Sequence, residues 1–122
     1  MQTRQRGTAA EALVLEFLLE RDYTRLDQNF VRRFGELDLV VLAPDRQTIV
    51  FVEVRYRHRA DFGSAIESVD APKCRKLELT AIAWLQKHYA CDSAVRFDVV
   101  GVKPDRSAYS IDWVQGAFEL SD

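Results

Sequence analysis

At 122 residues, 48% of them apolar and 30% charged, the chain is long enough for one domain with a real hydrophobic core. With only five glycines and three prolines it is not a low-complexity or disordered sequence. A formal net charge of −2 argues against a protein that coats nucleic acid indiscriminately, and no apolar run approaches the roughly 20 residues of a membrane helix.

The opening MQTRQRGTAAEA carries no apolar stretch of the signal-peptide kind. Residues 8–21 are expected to be helical. Ala10, Leu13, Val14, Phe17 and Leu18 recur at the spacing of one buried stripe, and Thr8 with Glu11 three residues later fits a capping box. A first strand is expected over 23–33, followed by two stronger ones, GELDLVVLA (35–43) and QTIVFVEVRYR (47–57), split by the turn signal PDRQ. Residues 58–69 read as a loop. Asp70 then suits an N-cap and Pro72 a first turn, and Cys74, Leu77, Ala81, Trp84 and Leu85 form the buried stripe of a second helix ending near Tyr89. Two further strands are expected at 94–102 and 108–114, with 115–122 loose. Cys74 and Cys91, without a CxxC or a histidine at ligand spacing, read as two reduced packing thiols of a cytoplasmic protein. The fold expected is α/β: one domain over 1–122, ordered over about 7–114, with a mixed sheet flanked by helices in the order α-β-β-β-α-β-β.

Charge is unevenly placed. Residues 36–53 hold four acids against one arginine, while 54–76 hold six Lys or Arg against three acids. If the turn between the second and third strands is symmetric about Asp45 and Arg46, Asp38 falls opposite Glu53 and Glu36 opposite Arg55, all on one face. Directly opposed carboxylates stand about 5 Å apart and repel by roughly 3 kcal/mol at an effective dielectric near 20. A shared proton, neighbouring cations such as Arg55, or a divalent metal would each offset that repulsion. An all-oxygen donor set disfavours zinc and favours Mg²⁺ or Mn²⁺, ions that serve phosphate chemistry by polarising a phosphoryl oxygen and acidifying a bound water.

An acid on one strand followed across a hairpin by E-x-K on the next resembles the PD-(D/E)xK nuclease signature. The blocks GTAAEALVLEFLLERDY, QNFVRRFGELDLVVL, IVFVEVRYR, FGSAIESVDAPKCRKLELTAIAWL and VRFDVVGV resemble those of the YraN family, small bacterial proteins similar to archaeal Holliday-junction resolvases, over residues 7–102. The resemblance implies a restriction-endonuclease-like fold and a metal-dependent endonuclease acting on DNA, branched DNA in particular. It implies Asp38 and Glu53 as metal ligands, Glu11 as a helical acid completing the site, and Lys73 facing substrate. It also implies a homodimer, because a four-way junction has two equivalent scissile strands.

The chain departs from the pattern at Arg55, where the family carries lysine. Arginine stays protonated and cannot act as a general base, although it can clamp a phosphate bidentately. A catalytically inactive nucleic-acid-binding module of the same fold is therefore the second reading. A third is a structural adaptor whose acids are neutralised by a shared proton or by Arg55. Arg32, Arg33, Arg57, Arg59, Lys73 and Lys76 are the expected phosphate-contacting rim.

Overall fold

A computed structural model describes residues 3–58 and 64–120, with side chains from Thr8 onward. Its elements are α1 (Thr3–Leu19), β1 (Thr24–Arg32), β2 (Gly35–Leu42), β3 (Ile49–Tyr56), a short 3₁₀ turn (Ala65–Ser68), α2 (Ala71–Lys87), β4 (Val95–Asp105) and β5 (Ala108–Phe118). The five strands form one mixed sheet in sequential order. Neighbours are antiparallel except β3 and β4, which run parallel because the chain crosses over through α2.

The alternation of β3 divides the core in two. Val50 and Val52 face one way, packing with Ala10, Val14 and Leu18 of α1. Ile49 and Phe51 face the other, packing with Leu77, Ala81, Trp84 and Leu85 of α2. One helix therefore covers each face, and this single α/β domain has the architecture expected from the element order. Among the described residues, no helix is long and apolar enough to cross a membrane.

Asp70 caps α2 as expected, accepting a hydrogen bond from the Lys73 amide at 2.9 Å, with Pro72 in the first turn. The symmetric hairpin also holds, since β2 and β3 pair Leu39 with Val52, Val40 with Phe51, Val41 with Val50 and Leu42 with Ile49. Asp45 fixes the turn by accepting from the Gln47 and Thr48 amides, which lets Arg46 take a left-handed φ of 64°.

Three expectations change. Helix α1 begins at Thr3, so Thr8 and Glu11 lie inside it and form no capping box. Strand β4 continues to Asp105 through Pro104, which is tolerated because the β3 ladder already ends at Tyr56–Val102 and leaves that side of β4 open. The segment 115–118 is strand rather than loose tail. Phe118 pairs with Phe97 and stacks on its ring at 4.6 Å. A bulge in the β4–β5 ladder between Phe97 and Val99 accommodates the return. The Asp98 carboxylate, 1% exposed, holds it by accepting from Arg96, Trp113 Nε1 and the Gly116 amide.

Candidate metal and phosphate site

The site is built where β2 parts from β3. Leu37 and Val40 both belong to the core under α2, whereas Leu39 and Val41 belong to the core under α1, so the alternation slips by one at Asp38. The partner strand slips at the facing position. Asp27 accepts from Trp84 Nε1 of α2 and Phe30 packs in the same core, with Asn29 at φ 52° between them. The regular ladder ends at Leu39–Val52, and beyond it the Asp38 carboxylate accepts the Val54 amide at 2.8 Å. The slip thus turns Asp38 toward the backbone of β3 rather than onto either face.

Glu53 meets it there. Glu53 is 5% exposed, and its carboxyl group is hydrogen-bonded to that of Asp38. Burial, then the Glu53 charge and this hydrogen bond, push Asp38 up to about 9, against the opposing pull of the Val54 amide. Raised that far, Asp38 keeps its proton at neutral pH.

Glu11 approaches from α1. Burial raises its pKa first, then the charge of Glu36; the Asn29 side chain donates a hydrogen bond that opposes both, and Glu53 adds a smaller upward push. Glu36 does not share the face of Glu53, contrary to the register expectation. Its neighbour Leu37 points to α2, so Glu36 points to the α1 side, where its charge acts on Glu11. Among the described residues, no three His, Cys, Asp or Glu side chains are grouped so that they would hold an ion together. The buried pair is Asp38 with Glu53; Glu11 acts on both through charge.

Two cations address the pair. Lys73 Nζ, from the first turn of α2, lies 3.4 Å from Glu53 Oε2. Arg55 Nε lies 3.6 Å from the same oxygen, and its other arm donates to the Ser68 carbonyl at 3.2 Å. Arg55 Nε is buried and, among the described residues, is the one such side-chain polar atom without a hydrogen-bond partner. A buried donor without a hydrogen bond carries a desolvation cost that an anionic oxygen at hydrogen-bond distance would remove.

The rest of the basic rim is spread more widely. Arg32 is half-buried over the Phe30 ring at 4.0 Å, and Arg33 is exposed in the β1–β2 turn. Lys76 is exposed on α2 beside that turn, where a Cβ on Gly35 would stand 3.1 Å from the Lys76 carbonyl. Arg57 donates to the Ser64 carbonyl at 2.8 Å and helps to hold the 3₁₀ turn. Arg59 lies outside the described residues.

Sequence reasoning passed over Asn29, which bonds Glu11 and sits in the sheet slip. An asparagine inside a strand is the signal that was there to be read, since strands are depleted in it while left-handed backbone favours it.

Comparison with known proteins gives a consistent family match. The model of the "Uncharacterised protein family UPF0102" matches residues 10–102. A UPF0102 protein of Stutzerimonas stutzeri is 42% identical over 119 residues, covering 97% of this chain and 98% of the relative. One from Vibrio campbellii is 44% identical over 116 residues, covering 93% and 92% respectively. Among solved structures, the Pyrococcus furiosus SfsA in complex with Ca²⁺ matches with a TM-score of 0.36 and 16% identity. That match covers 93% of this chain and 63% of the SfsA chain.

Proposed function

The chain belongs to the UPF0102 family, and we propose that it is a metal-dependent endonuclease-like protein acting on the phosphodiester backbone of DNA, branched DNA included. The observation that carries this reading is the hydrogen-bonded pair of Asp38 and Glu53 in the parting of β2 and β3, with Lys73 and Arg55 on its rim. The donor set suits Mg²⁺ or Mn²⁺. Both groups are carboxylates, the pKa of Asp38 is raised by burial and by Glu53 as in a site lacking a cation, and magnesium sites use one or two protein carboxylates plus phosphate oxygens. Asp38 and Glu53 would hold the ion, and Glu11 would add negative charge from α1. When bound, the ion would polarise a phosphoryl oxygen and offset the charge that develops on it.

The chain's own groups divide the remaining work. Arg55 donates to a phosphate oxygen through Nε, which has an ion pair with Glu53 but no hydrogen bond, and it cannot take a proton. Among the described residues Lys73 is the one amine ion-paired with Glu53, and it could supply the titratable amine that Arg55 does not. A lysine can titrate near neutrality where an arginine cannot. Lys76, Arg32 and Arg33 offer further phosphate contacts along the β1–β2 turn. By the symmetry of a branched substrate the active form would be a homodimer, and sedimentation at micromolar concentration tests that part independently.

Calorimetric titration of Mn²⁺ tests the site. Wild type is expected to bind one ion with release of a proton, and the Asp38→Asn/Glu53→Gln variant is expected to bind none. Equal binding in both would remove the metal site. Arg55 favours the second reading, a binding module without turnover. Incubation of the protein with branched and linear DNA and Mn²⁺ separates the two: cleavage abolished by Glu53→Gln supports the nuclease, and retention without cleavage supports the module.

A further inference from the structure

A cavity of about 70 Å³ opens on the same face of the sheet as Glu53 and Arg55, lined by Arg57, Ala65, Gly101, Lys103, Ser110 and Asp112. We infer that it is a second anion subsite, taking a backbone phosphate of the nucleic acid that flanks the phosphate held at Arg55. The inference rests on the nucleic-acid reading above and adds to it a position and a direction along the strand.

The cavity exists because of a close approach. Ala65, in the 3₁₀ turn, sits directly on Gly101, where a Cβ would come within 2.5 Å of the Ala65 methyl, so only glycine fits beneath the turn. Three contacts hold the turn there: Arg57 donates to the Ser64 carbonyl at 2.8 Å, Arg55 donates to the Ser68 carbonyl at 3.2 Å, and the Ala65 amide donates to Asp112 at 3.3 Å. Lys103 and Ser110 are paired across the β4–β5 ladder and bring an ammonium and a hydroxyl to the rim. The lining thus brings a guanidinium, an ammonium and a hydroxyl together beside one carboxylate, and that carboxylate accepts from the Ala65 amide.

Size and distance agree with a phosphate. Roughly 10–15 Å³ of such space holds one water, so a cavity of about 70 Å³ has room for a small tetrahedral anion. Arg57, one residue past the end of β3 and still bonded through its amide to the Val102 carbonyl, follows Arg55 by two residues, about 6.6 Å further along. Successive phosphates of one duplex strand advance about 3.4 Å along the axis, so a strand lying along β3 reaches both positions within a few nucleotides.

Fluorescence anisotropy of a labelled DNA duplex, in chelator and across a NaCl series, tests the subsite. Lys103→Gln is expected to weaken binding several-fold and to reduce the slope of log K against log salt by about 0.9, the loss of one phosphate contact. Arg25→Gln, on the far edge strand β1, is expected to leave the slope unchanged. A Lys103→Gln slope equal to wild type, or an equal loss in Arg25→Gln, overturns the subsite while leaving the nucleic-acid reading intact. Absence of any salt-sensitive binding by wild type overturns both. Inorganic phosphate is the second probe. It is expected to compete with DNA in wild type and to lose that effect in Lys103→Gln; phosphate that binds without displacing DNA assigns the cavity to the free ion and overturns the inference.

Discussion

The Lys73 ammonium stands 3.4 Å from Oε2 of Glu53, which joins the first turn of α2 to the acid end of β3. That turn is held by the Asp70 cap, so the position of the amine is set by helix geometry rather than by a flexible loop. If the proposed reaction uses a titratable amine, Lys73 is the group that supplies it. Lys73→Met is expected to lower the rate of Mn²⁺-dependent DNA cleavage on the order of 10²-fold, the scale of a positioned acid–base group. Lys73→Arg should restore DNA affinity but not the rate. A Lys73→Arg variant with wild-type turnover would show that only the charge matters.

The proton on Asp38 makes stability depend on pH. An unfolded aspartate titrates near 3.9, whereas Asp38 in the fold is raised to about 9 by burial and by Glu53. Between those values the folded chain binds more protons than the unfolded chain. The contribution of the pair is therefore complete below about pH 4 and is lost as pH rises through about 9. In chelator, the melting temperature is expected to fall from mildly acidic to alkaline buffer, and Asp38→Asn should flatten that fall. Mg²⁺ should raise the melting temperature most at the alkaline end, where the acids have released the proton. A wild-type melting temperature that rises with pH over this range would contradict a protonated Asp38.

Away from the site, Asp98 is the most demanding residue of the fold. Its buried carboxylate accepts from Arg96 Nε at 2.8 Å, an Arg96 terminal nitrogen at 2.9 Å, Trp113 Nε1 at 2.9 Å and the Gly116 amide at 3.0 Å. Arg96 also donates to the Tyr23 hydroxyl at 2.7 Å, so the network ties β5 and the residue just before β1 to β4. Asp98→Ala strands a half-buried guanidinium and two N–H donors together. The expected loss is about 3–5 kcal/mol, read by urea denaturation followed through tryptophan fluorescence. Asp98→Asn keeps part of the acceptor set and should lose less.

How far the sequence exposes all this depends on the range of each interaction. The element order, the Asp70 cap and the Asp45–Arg46 turn are local, and each was legible from a few adjacent residues. The convergence of Asp38 with Glu53 was legible because hairpin register follows from the turn. The face of Glu36 was not, since strict alternation was assumed and the chain slips at Asp38 and Asn29 together. The Tyr23–Arg96–Asp98–Trp113 network was also hidden, because its members lie on two strands and the α1–β1 connection, and no periodicity links them. The 115–118 segment looked loose for the same reason: its order comes from Phe118 stacking on Phe97 across the β4–β5 bulge, not from its own composition.

The last expectation concerns how α2 is seated over the acids. Gly35 opens β2 beneath that helix, and a Cβ there would stand 2.5 Å from Thr80 Oγ1 and 3.1 Å from the Lys76 carbonyl. Thr80 is fully buried, and its hydroxyl donates to the Lys76 carbonyl at 2.7 Å, so neither neighbour moves without disturbing the helix. Gly35→Ala should therefore push α2 outward and cost about 1–3 kcal/mol, the range of overpacked cores. Because Thr80 Oγ1 is the nearest atom, adding Thr80→Ala should recover part of the loss despite removing a hydrogen bond, a coupling measurable in a double-mutant cycle. The same outward shift lengthens the Lys73–Glu53 contact, so Gly35→Ala should also weaken Mn²⁺-dependent cleavage at temperatures where the variant remains folded. Additive stability losses in the cycle would mean that the helix is seated by contacts other than this one.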